Sequence, residues 1–390
     1  MNPEIHHLFE LAGKPERKII GLMSGTSLDG LDVALCKVSG AGFNTKIKVD
    51  HFHTISYSED QKNKIRKVFA NADALLPEVC ILNKWLAVLH AEFINDSLKK
   101  WNVSKKDVDL IASHGQTIYH APEQDYFGKK YNSTFQIGDG DHIAVLTGIT
   151  TISDFRQKHI AAGGEGAPLA LYADYILFNN PEKETILLNI GGIANLTWLP
   201  EKGRKIISTD TGPGNTLMDN WMMKHFNKPM DENAAKALSG NVNSELFDIL
   251  YSHPFFKKKF PKSCGQEIFN IKYVEDAIKE LNTIVSHEDV LATLTALTSK
   301  SIIDCISALT NESFRFFISG GGLHNPLLLQ HLRQGLQSAE FLSMDLFHPD
   351  AKEAVLFAIL ANEMVAGDNK IWEYAGIEPA VRMGKISFGI

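Results

Sequence analysis

The segment SGTSLDG (24–30) places Gly25 and Gly30 with the hydroxyls of Thr26 and Ser27 in one short turn. A polyphosphate tail needs backbone N–H groups at close range, which glycine permits, and hydroxyls beside them. Asp29 and Asp32 follow at once and add carboxylates suited to holding magnesium through water. One such turn also reads as a plain hairpin. Three more stand behind it: GGIAN (191–195), DTGPGN (210–215) and SGGGLHN (319–325), each after an apolar run that predicts a strand. Four glycine turns at strand ends are what a nucleotide clamped between two lobes requires. None is a Walker-type loop or a GxGxxG opening a helix, which disfavours both of those nucleotide folds.

The elements behind these turns repeat. Ile19–Met23 and Asp32–Val38 are predicted strands around the first turn, and Ile186–Ile190 and Ala194–Leu199 are their counterparts around Gly191-Gly192. Leu110–Ser113 before HGQT and Ile206–Thr209 before DTGPGNT extend the parallel, so an internal duplication is expected. Helical spacing of apolar residues predicts helices over 77–101, 289–309 and 350–367, and RFFISGGGLHNPLLLQHL reads as strand, glycine loop, helix. The expectation is an α/β chain of two similar lobes with a cleft between them. Residues 1–150 with about 368–390 form one lobe and 151–367 the other.

Composition narrows the function. The 390 residues carry a formal charge of -7, with 44% hydrophobic and 22% charged residues. That is a globular composition without the basic footprint that nucleic acid demands. Lys257, Lys258, Lys259 and Lys262 read as a solvated loop. Cys36, Cys80, Cys264 and Cys305 are far apart, with no CxxC pair, as in a reducing compartment. The first residues lack the apolar core of a signal peptide, and no apolar stretch reads as a bilayer span, so a cytoplasmic enzyme without membrane attachment is expected. His6, His7, His51, His53 and His348 offer no second pair at zinc-ligand spacing. Phe314, Phe316 and Phe317 read as strand core rather than a stacking platform.

The order of motifs makes a more specific case. GLMSGTSLDGLDVAL, SHGQTIYH, TFQIGDGDHIA, LTGITTISDFR, AAGGEGAPLA, NIGGIANLT, DTGPGNTLMD, HPFF, PKSCGQEIFN, ATLTALT, SGGGLHNPLLL and DAKEAVLFAILANE span nearly the whole chain. Together they resemble the anhydro-N-acetylmuramic acid kinases, bacterial murein-recycling enzymes with the duplicated actin/hexokinase-like (ribonuclease H-like) fold. The resemblance implies that ATP phosphorylates the 6-oxygen of 1,6-anhydro-N-acetylmuramate while water opens the anhydro ring, giving N-acetylmuramate 6-phosphate. It further implies that Gly25, Thr26, Ser27, Leu28, Asp29, Gly30, Leu31 and Asp32 meet the phosphates and magnesium. Asn189, Gly191, Gly192, Asp210, Gly212, Gly214 and Asn215 would complete the clamp, with Asp29, Asp32 and Asp210 toward the metal. Gly320, Gly321, Gly322, His324 and Asn325 would lie near the adenosine. His114, Gln116, Thr117, Asp154 and Arg156 would face the sugar, and Glu353 would touch substrate or stabilise its helix. Arg156 suits a lactyl carboxylate, which guanidinium meets as a fork. Similar enzymes are homodimers.

The resemblance breaks at the base. Ring opening needs a group to take a proton from water. The family carries an aspartate three residues after its Phe-Arg pair, and DFRQKHIAAGGEGAPL has His159 there. Imidazole can serve near neutral pH. Glu165, where the family more often has glutamine, could instead supply a carboxylate from the same loop. Cys264 and Gln266 also depart from the family pattern. A changed amino-sugar substrate and a non-catalytic nucleotide- or sugar-binding homologue are the alternatives. Asp29, Asp32 and Asp210, all in place, argue for an enzyme.

Overall fold

A computed structural model describes the chain except residues 1, 26, 27, 127, 168, 181, 202, 203, 266, 282, 344–346 and 390. It divides into two compact units, 1–178 with 345–390 and 179–344. The first holds β1 (Glu16–Ser24), β2 (Gly30–Ser39), β3 (Lys46–Ser56), β4 (Leu110–Tyr126), β5 (Lys129–Ile137) and β6 (Thr151–Ser153). The second holds β7 (Glu184–Ile190), β8 (Ile193–Leu199), β9 (Ile207–Pro213), β10 (Phe314–Ser319) and β11 (Ala339–Leu342). β12 (Lys385–Ser387) returns to the first.

The first sheet runs β12-β6-β4-β1-β2-β3, with β5 paired to β4. β1 pairs antiparallel to β2 and β2 to β3, while β1–β4 and β4–β6 are parallel. The second runs β11-β10-β7-β8-β9. There β7–β8 and β8–β9 are antiparallel, and β7–β10 and β10–β11 parallel. β5 and β12 are additions to the first sheet, but the order and directions of β6-β4-β1-β2-β3 repeat in β11-β10-β7-β8-β9, so the duplication is real. One assumed correspondence is not. β4, which runs on through HGQT, matches β10, whereas β9, which runs into DTGPGNT, matches β3. Apolar runs ending in polar loops look alike in sequence, and only the register with neighbouring strands tells them apart.

The unit boundaries fall at 178/179 and 344/345 rather than at 150 and about 367. β6 joins β4, and helix Lys352–Ala366 packs on β1, which draws both flanking segments into the first unit. Helix Leu76–Trp101 buries Leu82, Leu86, Ile94 and Leu98 against Ile20, Leu22, Val33 and Ile111, and ends at Asn102 in the left-handed conformation. In the second unit Ile186, Leu188, Leu196, Phe314 and Phe316 share a core with Ile302 and Ile306. Phe317 is buried as well, so the strand-core reading of these aromatics fits.

Two sequence expectations need correction. Lys262 is buried, not solvated: its ammonium lies 4.5 Å from the Phe255 ring centre, and burial lowers its pKa. Helix His287–Leu309, begun by the Ser286 cap, is long and apolar enough to cross a membrane by composition, but most of it is buried inside its unit.

Candidate active site

The first turn joins β1 to β2, and Thr26 and Ser27 lie outside the described residues. Leu28 has φ 59, and its N–H donates to the Gly25 carbonyl at 3.2 Å. Leu28 and Leu31 bury their side chains in the core, so they could offer a phosphate only backbone groups. Gly30 is required by the fold itself, since a β-carbon there would stand 2.3 Å from the Ile55 carbonyl oxygen. Asp29 is exposed. Asp32 is half-buried, and its Oδ1 accepts a hydrogen bond from Thr54 Oγ1 at 2.5 Å.

Charge accumulates beside this turn. Burial raises the Asp32 pKa, Thr54 opposes the shift, and Asp350 and Asp29 add to it. Glu353, in the first turn of helix Lys352–Ala366, is open to solvent yet crowded by protein. Burial and Asp32 raise its pKa, while Arg156 and Lys352 act the other way. Asp29, Asp32, Asp350, Glu353 and Arg156 therefore share one electrostatic neighbourhood.

The predicted sugar-facing residues divide into two groups. His114 Nε2 accepts from Arg156 Nε at 2.9 Å, and burial, reinforced by Arg156, pushes the imidazole down to about 3, so it is neutral. His114 and Asp154 line a pocket of about 350 Å³ with Ser113, Gln136, Asp139 and Lys385. Ser113 Oγ and Gln136 Oε1 are buried there without a hydrogen-bond partner among the described residues. Orphaned polar atoms are costly unless a ligand or water meets them. Asp154 takes a left-handed backbone, φ 54, and its carboxylate pairs with Lys385. Gln116 is different. Its Oε1 accepts from Ser24 Oγ at 2.5 Å and its Nε2 donates to the carbonyls of Gly25 and Thr117, both at 3.2 Å, so its amide braces the turn. Thr117 Oγ1 accepts from Gln136 Nε2 at 3.1 Å.

His159 has one ring nitrogen engaged by the backbone. Its Nδ1 accepts the Gly166 N–H at 2.9 Å, which leaves Nε2 protonated in the neutral ring. The ring is buried, burial and Arg156 lower its pKa, and it meets Tyr172 edge-on. Arg156 Nη1 donates to the Gly166 carbonyl at 2.7 Å. Both polar groups of Gly166 are therefore held. Glu165, its neighbour, is exposed and lines a pocket of about 510 Å³ with Gly163, Gly164, Tyr172 and Pro379.

The glycine turns of the second unit converge. Asn215 N–H donates to the Gly191 carbonyl at 2.8 Å, and Gly214 N–H and Thr216 N–H donate to the Gly192 carbonyl at 2.9 and 3.2 Å. Asn215 Nδ2 reaches the Ile190 carbonyl at 3.2 Å. A β-carbon on Gly214 would stand 2.2 Å from the Gly191 oxygen. A β-carbon on Gly320, at φ +84, would stand 2.7 Å from both Asn189 Oδ1 and the Ile190 carbonyl oxygen. Asn325, expected near adenosine, caps helix Pro326–Gly335, its Oδ1 accepting the Leu328 N–H at 2.9 Å. Asp210 Oδ2 accepts the Cys264 N–H at 2.9 Å, and burial raises its pKa.

Among the described residues no three histidines, cysteines or acids could hold a metal by themselves. The first unit nevertheless fits a cation. Asp32 Oδ2 has no hydrogen bond among the described residues, and its acidic neighbours disfavour the ionised form until positive charge arrives. Sequence reasoning missed Asp350, Tyr57, His90 and Asp219. None carries a local motif, and each matters through partners or burial set elsewhere in the chain.

Glycine turns at matching ends of two duplicated sheets, with acids beside them and a pocket of orphaned polar groups, are the equipment of a nucleotide-dependent phosphotransferase. The model of the family "Anhydro-N-acetylmuramic acid kinase" matches residues 17–388. A protein of that name from Pseudoalteromonas atlantica is 49% identical, covering 100% of both chains. One from Caldanaerobacter subterraneus subsp. tengcongensis is 40% identical, covering 97% of this chain and 99% of its own. The chain belongs to the anhydro-N-acetylmuramic acid kinase family. It is accordingly an ATP-dependent kinase that phosphorylates an alcohol group of a sugar.

Proposed function

We propose that the chain converts 1,6-anhydro-N-acetylmuramate, ATP and water to N-acetylmuramate 6-phosphate and ADP, in the cytoplasm, as a step of murein recycling. The observation that carries this is a family match from residue 17 to 388 on a chain whose sheets repeat with glycine turns at corresponding ends. The repeated strand order supports the actin/hexokinase-like fold. The substrate is a small amino sugar, and the active species is a homodimer.

The turn 25–32 and the turns 189–192, 210–215 and 320–322 take up ATP. Asp29 and Asp32 in the first unit, and Asp210 in the second, are the acids that would be available to magnesium through water, and when bound it offsets phosphate charge. The sugar hydroxyls meet Ser113 Oγ and Gln136 Oε1 in the pocket that His114 and Asp154 line. Arg156 keeps Nη2 free of hydrogen bonds among the described residues, and it faces the lactyl carboxylate. The sugar O6 forms its bond to the γ-phosphorus as the bond from that phosphorus to the ADP oxygen breaks and ADP leaves, and the C1–O6 bond breaks with it. The water oxygen bonds to C1, and its proton passes to a carboxylate.

Glu165 is the candidate for that carboxylate: it is exposed beside Gly166, whose carbonyl Arg156 holds, and it lines a pocket separate from the one given to the sugar hydroxyls, so the anomeric carbon would have to lie toward this loop. His159 supports the loop. Mass spectrometry of the product formed with magnesium-ATP and the anhydro sugar tests the reading. Wild type should add phosphate plus water. Glu165→Gln should lose about 10²–10⁴-fold in kcat, whereas His159→Ala should retain activity with an unchanged acidic limb in its pH profile. Loss confined to His159→Ala would return the base to the imidazole.

A further inference from the structure

A chain of hydrogen bonds runs beneath the first turn, and the proposed reaction does not use it. His90, on helix Leu76–Trp101, lies 2.7 Å from the Tyr57 hydroxyl through Nε2. The Tyr57 hydroxyl lies 3.0 Å from Ser24 Oγ, and Ser24 Oγ donates to Gln116 Oε1 at 2.5 Å. Gln116 Nε2 ends the chain on the Gly25 carbonyl at 3.2 Å. All four side chains are buried, with none more than 3% exposed.

The proton directions are determined throughout. Gln116 Oε1 can only accept, so the single Ser24 proton goes to it. Ser24 Oγ must then accept from Tyr57, and Tyr57 must accept from His90 Nε2–H. His90 Nδ1, left as the lone-pair nitrogen, is buried without a partner among the described residues. Burial keeps this imidazole neutral, with its pKa lowered to about 3. Tyr57 also holds the far side of the turn, because its N–H donates to the Asp29 carbonyl at 3.0 Å. One residue thus grips the turn by side chain at Ser24 and by backbone at Asp29, and the intervening Gly25 carbonyl is fixed by the end of the same chain.

We infer that Tyr57, with His90 and Ser24, is a positioning residue that sets the Gly25 and Asp29 carbonyls, one on each side of the first turn, for the phosphates of ATP. The inference rests on the reading of that turn as a phosphate site. It names residues that touch neither ATP nor sugar. Gln116 is where the network meets the HGQT segment, so the phosphate turn and the strand beside the sugar pocket are held in one register. Removing the Tyr57 hydroxyl leaves the His90 Nε2–H and the Ser24 acceptor unpaired in a dry interior. The turn then relaxes toward whatever backbone position satisfies Gln116.

Tyr57→Phe and Ser24→Ala interrupt the chain at adjacent links with little loss of volume. Calorimetric titration with magnesium-ATP, separate titration with the anhydro sugar, and steady-state kinetics should be run on wild type, both variants and the double variant. Each single variant should weaken ATP binding about tenfold, near the free energy of one buried hydrogen bond, with sugar binding unchanged within about twofold. The double variant should lose no more than the worse single, because both cut one chain. Unchanged ATP affinity with a lower Tm would overturn the inference and make the chain core support only. Equal loss for both ligands would overturn it as well. If wild type binds ATP but leaves the anhydro sugar unmodified, the substrate assignment fails, and ATP affinity alone still decides the role of Tyr57. If wild type does not bind ATP, both readings fall.

Discussion

Asp219 allows a stability prediction with a defined sign. It sits in the first turn of helix Thr216–Phe226, one helical turn beyond Asn215, and is only half-buried. Burial pushes its carboxyl from 3.8 up to about 6. Below the unfolded value both states hold the proton, and the group costs nothing. As pH rises from 3.8 to about 6 the unfolded chain releases its proton first, so stability falls across that window and stays reduced above it. The full shift corresponds to roughly 3 kcal/mol, and solvent screening of a half-exposed group reduces this to about 1–2 kcal/mol. Asp219→Asn removes the penalty. At pH 8 the variant should melt about 2–6 °C above wild type, converging with it near pH 4. Thermal melts at five or six pH values between 4 and 8 provide the test. A difference independent of pH, or a less stable variant at pH 8, would refute the electrostatic argument.

Gly214→Ala forces a β-carbon against the Gly191 carbonyl oxygen, so the two turns must separate. The three backbone hydrogen bonds between them should be lost or weakened, at about 1 kcal/mol each. The KM for ATP should rise at least tenfold while the sugar KM stays constant. Arg156→Lys removes the Nε bond to His114 and the Nη1 bond to the Gly166 carbonyl, which a single ammonium cannot replace together. Sugar KM should rise about tenfold with ATP KM unaffected, as initial-rate kinetics with each substrate varied would show.

Local features of the fold were legible because local physics decides them. Strand–glycine–strand runs around residues 25 and 191 and helical periodicity in residues 77–101 each depend on a short window, and the structure has them within a few residues of where they were expected. The strand order was not legible, since β9 and β4 differ only in which distant strand they meet. Lys262 looked solvated beside Lys257, Lys258 and Lys259 because nothing nearby announces the Phe255 ring it packs on. The site shows the same division. The glycines of the three second-unit turns lie together, as their sequence pattern implied. His159, Gln116 and Asn325 carry chemistry suited to catalysis or binding, and each has a polar atom engaged by Gly166, Ser24 or Leu328 that no local pattern announced. Residue type is visible in a sequence, whereas a free lone pair is a property of the folded surroundings.

The most direct test of the central claim is the oxygen balance of the reaction. The purified protein would be incubated with magnesium-ATP and 1,6-anhydro-N-acetylmuramate in ¹⁸O-labelled water, and the product fragmented by mass spectrometry. The account predicts one heavy oxygen at the anomeric carbon and none in the bridge between C6 and phosphorus. A phosphorylated sugar with its anhydro ring intact, or label in the C6–O–P bridge, would contradict it.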